Sequence, residues 1–524
     1  MLSTLIILLA LLTPGQAVNV NNNVIGDMAA YMDIMDKGGT INYHDTVISG
    51  LGFSKQIYTA ENPLIVGGNG TSVLYAFKGE YKPYDPSIPP PRIWGGLSIM
   101  DCQHIIVRGW KIMGGIENTL SINNSYPEEG HKCAHITIED CEISLGETRG
   151  LFGAGKVMHD ITFRRCVFKE TIYSGNATHS AYMSGGAWNP KYPPIQNITF
   201  ENCTFALTEG RHGLQFNGRF KGVKIIGCKF FHNQLSGLSI IGGQDILVSR
   251  CIFWGNGRAA IVIYDDAFDS SYWNPDFRLP PGQDIMTKKD GKWSFEHWVA
   301  THHPNGNIKI EYCTMLTGPT AWVKDPWHTN DPTQFPVIQV NNAVHGKWFG
   351  GQKMHYPPGP IAIDHCIMES QKQVAIEFSN NEEALMTRVT NSIIWASKGA
   401  TGISAPAGWF SIEKLQKNFG GWYEGNDVRD PHISVEPYPL IDRSVDPTYD
   451  WGPRFAVGEA ENLHAGKMVD KVYGRYGKKI QAGDKGMMRS NTEPLKVMRG
   501  KEAEQWLDGL GPRVPRNLKG EDKK

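Results

Sequence analysis

Neither sign of charge is in surplus in this chain: 52 Lys and Arg stand against 53 Asp and Glu, a net of −1 over 524 residues. That removes the electrostatic argument for a nucleic-acid partner or an anionic membrane surface. There is no CxxC pair and no finger-like alternation of Cys and His, so no structural zinc and no other metal site is expected. Beyond the first dozen residues no apolar run approaches the roughly 20 residues of a spanning helix. Residues 2–12 (LSTLIILLALL) are apolar but too short to cross a bilayer, and Gly15 and Ala17 follow as a small-x-small cleavage site. No Lys or Arg precedes the run, yet 1–17 still reads as a secretory signal peptide. The expected location is secreted, periplasmic or extracellular, with no membrane attachment once the signal is removed. With 58 Gly, 15 Trp and Asn-rich turns, the composition suits a β solenoid with aromatic loops rather than a disordered chain.

What the chain does have is repetition. ITFENCTF (198–205), VKIIGCKF (223–230) and ILVSRCIF (246–253) are one phrase written three times, each followed by a short strand: GLQFNG, GLSIIGG and AAIVIYD. Upstream copies carry Cys166, Cys141 and, in the same slot, Trp110; downstream copies carry Cys313, Cys366 and Ser392. Successive slots are 31, 25, 37, 25, 23, 62, 53 and 26 residues apart, which is one repeat of two dozen residues, lengthened in places by insertions. The 62-residue interval reads as an insertion, because nothing between Tyr264 and His303 fits the phrase. A period in the twenties built from short alternating strands is the mark of a solenoid. The strands are rich in Ile, Val and Phe, and the LxxLxL phrase of leucine-rich repeats is absent. The predicted fold class is all-β: a right-handed parallel β-helix solenoid with an N-terminal helix cap and long aromatic loops. Residues in the same slot then stack about 4.8 Å apart along the axis.

Nine cysteines in an exported chain would ordinarily suggest disulfides. Seven share the ladder slot, where a small apolar side chain stacks on its copies, so free buried thiols are expected there. Cys102 and Cys133 lie in CQHI and CAHI on neighbouring coils and could stack or form one disulfide.

The predicted organisation follows. After the signal, 18–96 holds an N-terminal cap and the first coils; its helix should pack through Met28, Tyr31, Met32 and Met35 and stop at Gly38-Gly39. Regular coils should fill 97–400, with insertions near 185–196, 264–304 and 320–358. The insertions leave at or near one point of the coil and are rich in Trp, Tyr and Phe, so they should wall a groove. Residues 401–464 should close the solenoid, with a short helix at 409–425. Residues 465–524 form a basic, loosely ordered tail.

Aligning the strands after the cysteine phrase on their inward residues (Leu120, Leu151, Ala181, Leu214, Leu238, Ile261) places Arg149, His179 and His212 in one outward column. Tyr182 and Gln215 stand beside it, Ser184 and Asn217 beyond, with Glu209 on the entering turn and Asp265 and Asp266 two coils on. Trp188 and Trp273 lie in the adjoining loops. Such columns suit a polysaccharide, which stacks on aromatic faces and hydrogen-bonds to polar ladders. For β-elimination beside a uronic acid, Arg149 would neutralise the carboxylate and His179 or His212 would take the α-proton. Tyr182 would protonate the leaving oxygen. Hydrolysis would need two carboxylates, and Asp265, Asp266 and Glu209 are the nearby acids. No cofactor is demanded; Ca2+ could be held by those same acids.

On the signal, the helix cap and the repeated I-x-I-x-x-C/N-x-I coils over about 26–450, the chain resembles the pectin-lyase-like superfamily of right-handed parallel β-helices. The resemblance implies an extracellular fold whose members are mostly polysaccharide lyases, glycoside hydrolases, epimerases, tailspikes and adhesins. No specific enzyme family's motif is present: GRHG at 210–213 is only part of the polygalacturonase set. The leading expectation is a secreted lyase acting on a uronic-acid-containing glycan, with a glycoside hydrolase second. The alternative is a non-catalytic glycan-binding spike or adhesin. The polar outward columns favour a monomer; a spike would be a trimer.

Overall fold

A computed structural model describes residues 16–428 apart from several loops, together with the short strands Ile433–Glu436 and Arg454–Val457. The longest loops outside the described residues are 77–94, 172–178, 186–192, 265–286, 295–305, 318–334, 342–360 and 379–386.

The chain winds into a parallel β-helix. Its strands fall in strict rotation into three long sheets of 13, 11 and 12 strands, each strand bonded to its counterparts in the coils before and after. Among the described residues eleven coils give one strand to each sheet. Parallel crossovers of this kind are right-handed. Stacking satisfies every strand's backbone along the axis, so the exposed edges that endanger open sheets remain only at the two ends.

The slot residues stack as the repeat requires. Cys141, Cys166, Cys203, Cys228, Cys251, Cys313 and Cys366 are all buried, Trp110 begins the file, and Ser392 ends it. All nine cysteines are free, so Cys102 and Cys133 are buried thiols and not a disulfide. Six of the seven slot thiols donate to the coil before, as Cys228 Sγ does to Phe200 O at 3.5 Å and Cys251 Sγ to Ile225 O at 3.4 Å; Cys203 Sγ donates to Glu201 O in its own coil. At the ends the slot changes chemistry but keeps its bonds. Trp110 Nε1 donates to Val66 O at 3.2 Å, and Ser392 Oγ accepts from Cys366 N at 3.0 Å. The residue before each slot turns the chain from the first sheet to the second with positive φ: Gly109, Asp140, Arg165, Asn202, Gly227, Arg250, Tyr312, His365 and Asn391. At 227 the turn residue is glycine, with φ +63°, and an added Cβ would press on the Asn202 side-chain amide, which would have to move.

The aromatic position two residues after the slot builds a second file. Phe168, Phe205, Phe230 and Phe253 stack ring on ring, with centroids 5.0, 4.8 and 4.6 Å apart and near-parallel planes. Each buried Phe contributes about 1.5–3 kcal/mol by area, and each stacked pair about 0.5–1.5 kcal/mol more. The outward face of the second sheet is buried as well, and there Lys169 Nζ meets Glu142 Oε1 at 3.1 Å with both side chains 4% exposed.

The ends depart from expectation in detail. Helix α1 (Met28–Lys37) forms, capped by the Asp27 carboxylate accepting from Ala30 N at 2.9 Å. It packs through Ile34, Ala30, Tyr31 and Met35 instead of the expected stripe, leaving Met28 and Met32 more than half exposed. Burial centres on Ile34, and Met28 and Met32 lie about 120–160° around the helix from it. Coils begin at Gly39–His44, well before Leu97, whose strand already belongs to the second coil. At the other end, Gly408–Phe410 is a strand antiparallel to Ile403–Ala405, not part of a helix. Among the described residues of 411–428, Lys414, Leu415 and Lys417 are helical, and Leu415 and Tyr423 close over the core.

The 62-residue interval between slots bridges adjacent coils, for Ile246 pairs directly with Ile308. The expected third insertion is two, because Ile338–Asn341 is a third-sheet strand in its middle.

Candidate functional site

The columns expected on the third sheet are in register. Arg149 pairs with His179, Phe152 with Tyr182, Tyr182 with Gln215, and Ser184 with Asn217. At the start of each strand the backbone kinks, so residues three apart, not two, share the outer side. Arg149 covers Phe152 at 4.6 Å and His179 stacks on Tyr182 at 5.0 Å. Two columns therefore touch sideways as well as along the axis. His179 and His212 stack at 5.7 Å in the first; Phe152 and Tyr182 stack at 6.0 Å, nearly parallel, in the second. The guanidinium of Arg149 reaches across a coil to the Tyr182 ring at 5.0 Å, within cation–π range. Its NH1 also donates to Asn118 Oδ1 at 3.4 Å. Asn217 Nδ2 donates to the Tyr182 hydroxyl at 3.0 Å.

Burial divides this set. Arg149, Tyr182, Ser184 and Asn217 are partly exposed, whereas His179 is 2% and His212 5% exposed. The expectation of two surface histidines is corrected on this point: both keep their place in the column but lie beneath it, because stacking on Tyr182 and on each other covers their faces. Burial, followed by the charges of His212, Arg211 and Arg149, holds His179 well below the ordinary histidine range, so it is neutral. His212 Nδ1 accepts from Ser236 N at 3.3 Å, which makes Nε2 the protonated nitrogen of the neutral ring.

Further along the axis the same outer columns carry buried polar atoms with no hydrogen-bond partner among the described residues: Gln215 Oε1, Asn217 Oδ1, Ser239 Oγ and Gln339 Oε1. Gln215, Ser239 and Gln339 occupy one ladder position in three coils, with Val262 between the last two. Buried polar atoms are nearly always paired in folded proteins, so a file of exceptions marks where a polar ligand can bind. Phe152, Ser239 and Gln339 were not among the expected site residues. The first two sit at aligned positions and were there to be found; Gln339 follows an insertion that hides its register.

Trp188, Glu209, Asp265, Asp266 and Trp273 lie outside the described residues. The arrangement that remains can bind an anion at Arg149, present an aromatic face and a phenol, and offer amide and hydroxyl groups along several coils.

Residues 177–273, which hold His179, Tyr182, His212, Gln215, Asn217 and Ser239 but not Arg149, match a family model described as a right handed beta helix region. No curated protein matches the chain. Solved structures of similar fold include the A-module of a mannuronan C-5 epimerase from Azotobacter vinelandii, at 11% identity, covering 77% of this chain and 95% of that one, TM-score 0.41. The catalytic unit of a thermostable α-1,3-glucanase from Streptomyces thermodiastaticus shares 14% identity, covering 80% of this chain and 69% of that one, TM-score 0.44. An alginate lyase from Paenibacillus sp. shares 10%, covering 75% and 96%, TM-score 0.35. These likenesses concern the path of the chain and carry no activity with them.

Proposed function

We propose that this right-handed parallel β-helix is an exported protein that binds an acidic polysaccharide along the outer face of its third sheet and cleaves it by β-elimination. The observation that carries the reading is the contact of Arg149 with Tyr182, continued along the axis by the amide oxygens of Gln215 and Asn217 and the hydroxyl of Ser239, which have no hydrogen-bond partner among the described residues. Arg149 pairs with a uronate carboxylate and draws charge from it, which lowers the barrier to removing the proton on the adjacent carbon. That C–H electron pair becomes the new double bond, the glycosidic C–O bond breaks, and the departing oxygen takes a proton. Tyr182, partly exposed and held by Asn217, serves both proton steps: as the phenolate it takes the α-proton, and the phenol so formed gives that proton to the departing oxygen. His179 and His212 sit behind it and fix its ring, so they are positioning residues in this scheme. The export part of the reading rests on residues 2–12, and among the described residues no helix is long and apolar enough to cross a membrane.

The burial of both histidines supports one competitor, a glycan-binding protein that performs no chemistry. Incubating the full chain with a panel of acidic and neutral polysaccharides separates the readings. A lyase produces an unsaturated uronate with new ultraviolet absorbance. New reducing ends without that absorbance indicate hydrolysis, and binding without either product leaves the non-catalytic reading.

A further inference from the structure

The first sheet carries a cluster that the glycan site does not use. At an early position of seven consecutive strands the backbone takes positive φ, and successive coils place His104, His135, Asp160, Asn197, Gly222, Asp245 and Asn307 there. Asp, Asn and Gly are the residues that this conformation favours. Asn197 Nδ2 donates to Asp160 Oδ1 at 2.9 Å, as Asn307 does to Asp245 Oδ1 at 2.6 Å. The backbone therefore accounts for the amide–carboxylate ladder. It makes no demand on His159, which lies outside the column with ordinary φ.

His159 Nδ1 nevertheless lies 2.7 Å from Asp160 Oδ2, and His135 Nδ1, from the preceding coil, lies 3.6 Å from the same oxygen. The two imidazoles meet edge to face, with centroids 5.3 Å apart. One donor atom from each of the three residues falls within 4.8 Å of the others. With metal–ligand bonds of about 2.0–2.1 Å, a tetrahedral zinc sets its donor atoms roughly 3.3 Å apart, between the two separations seen here. Asp160 has its other oxygen fixed by Asn197, and His104 stacks on His135 at 4.4 Å and holds that ring in place. Orienting partners of this kind tune a ligand set.

We propose that His135, His159 and Asp160 form a binding site for a first-row divalent metal ion, zinc foremost, that clips two consecutive coils together on the face away from the third sheet. Two imidazoles and one carboxylate exclude calcium and magnesium, which take oxygen ligands. All three side chains are a quarter to two-fifths exposed, so an ion reaches them from solvent without opening the fold. Three protein ligands leave a position for water. The site is independent of the glycan reading and stands or falls separately from it.

The test is calorimetric titration of the chelator-stripped full chain with zinc, repeated with cobalt, whose visible spectrum reports its ligands. The expected result is one ion per chain, a cobalt spectrum of nitrogen and oxygen ligation without a thiolate charge-transfer band, and a raised unfolding temperature. His135→Ala and Asp160→Asn each weaken zinc at least about tenfold, as does His159→Gln, whereas Asn197→Ala weakens it several-fold. These side chains are exposed, and an unchanged cooperative unfolding transition shows that the variants fold. No binding at millimolar zinc, or stoichiometric binding that His135→Ala and Asp160→Asn leave intact, overturns the proposal. The second outcome would place the ion on others of the 17 histidines.

Discussion

The guanidinium carbon of Arg149 lies 5.0 Å from the centre of the Tyr182 ring, a residue one coil further along the axis. This contact joins a fixed positive charge of the third-sheet columns to the phenol beside it, and it is where the functional reading is most exposed to experiment. Tyr182→Phe should lower turnover on the glycan by about a hundredfold or more while leaving KM within a few-fold. Arg149→Lys should not rescue Arg149→Ala, because lysine keeps the charge but cannot stack flat on the rings of Phe152 and Tyr182. Steady-state kinetics of the three variants decide the matter; full activity in Tyr182→Phe removes the phenol from the mechanism.

Acid should find a weak point at His179. Burial, followed by the neighbouring His212, Arg211 and Arg149, depresses its proton affinity in the folded chain, whereas an unfolded chain takes up that proton near pH 6.5. Unfolding therefore gains a proton below about pH 6.5, and stability falls there by about 1.4 kcal/mol per pH unit for this one group. His179→Gln should remove that share of the acid sensitivity and change nothing above about pH 7. Urea midpoints for both proteins across that range measure it, and equal slopes would mean that His179 titrates normally.

All nine thiols should be silent to a thiol reagent in the native protein and react together on denaturation. Burial in the apolar core pushes Cys133, Cys141, Cys166, Cys313 and Cys366 well above the usual thiol range, so almost no thiolate is available. Counting reactive groups before and after adding denaturant checks this; rapid labelling of any slot cysteine without unfolding contradicts the stacked file.

The Lys169–Glu142 pair makes a sharper energetic test. Removing one partner from a pair this buried should cost about 3–5 kcal/mol, because the other charge stays buried without its counter-ion. Replacing both, as Lys169→Met with Glu142→Leu, should recover most of that loss. Denaturant unfolding of the two single variants and the double variant closes the cycle.

A single missing ring should be felt along the axis. Phe205 stacks on Phe168 below and Phe230 above, so Phe205→Ala should destabilise the fold by about 3–5 kcal/mol. The measurement is the shift in unfolding midpoint, and a change below about 1 kcal/mol would argue that the file is not continuous.

Much of this architecture was written in the spacing of Cys166, Cys203, Cys228 and Cys251, because stacking turns a period in the sequence into a column in space. The same register correctly joined Arg149 to His179 and Tyr182 to Gln215. What spacing could not tell was depth: the alternation marks which side a residue takes, and the kink before Leu151 and Ala181 sets His179 against Tyr182 and covers it. The His135–His159–Asp160 cluster was half visible in the paired CQHI and CAHI phrases, which align His104 with His135. It was passed over because metal motifs are sought as short spacings, and here the partners come from different turns of the solenoid. Helix α1 misled for a related reason, since four residues of suitable type suggested a stripe while the core admitted Ile34.

Ile246 rests on Ile308 as directly as Val223 rests on Ile246, although 61 residues intervene in one case and 22 in the other. Contour length and axial rise are thus uncoupled at the exit from the third sheet. Material can be spliced in or cut out at that seam without shifting the floors above and below. The shaft supplies a fixed ruler, and the detachable pieces are free to diversify around it.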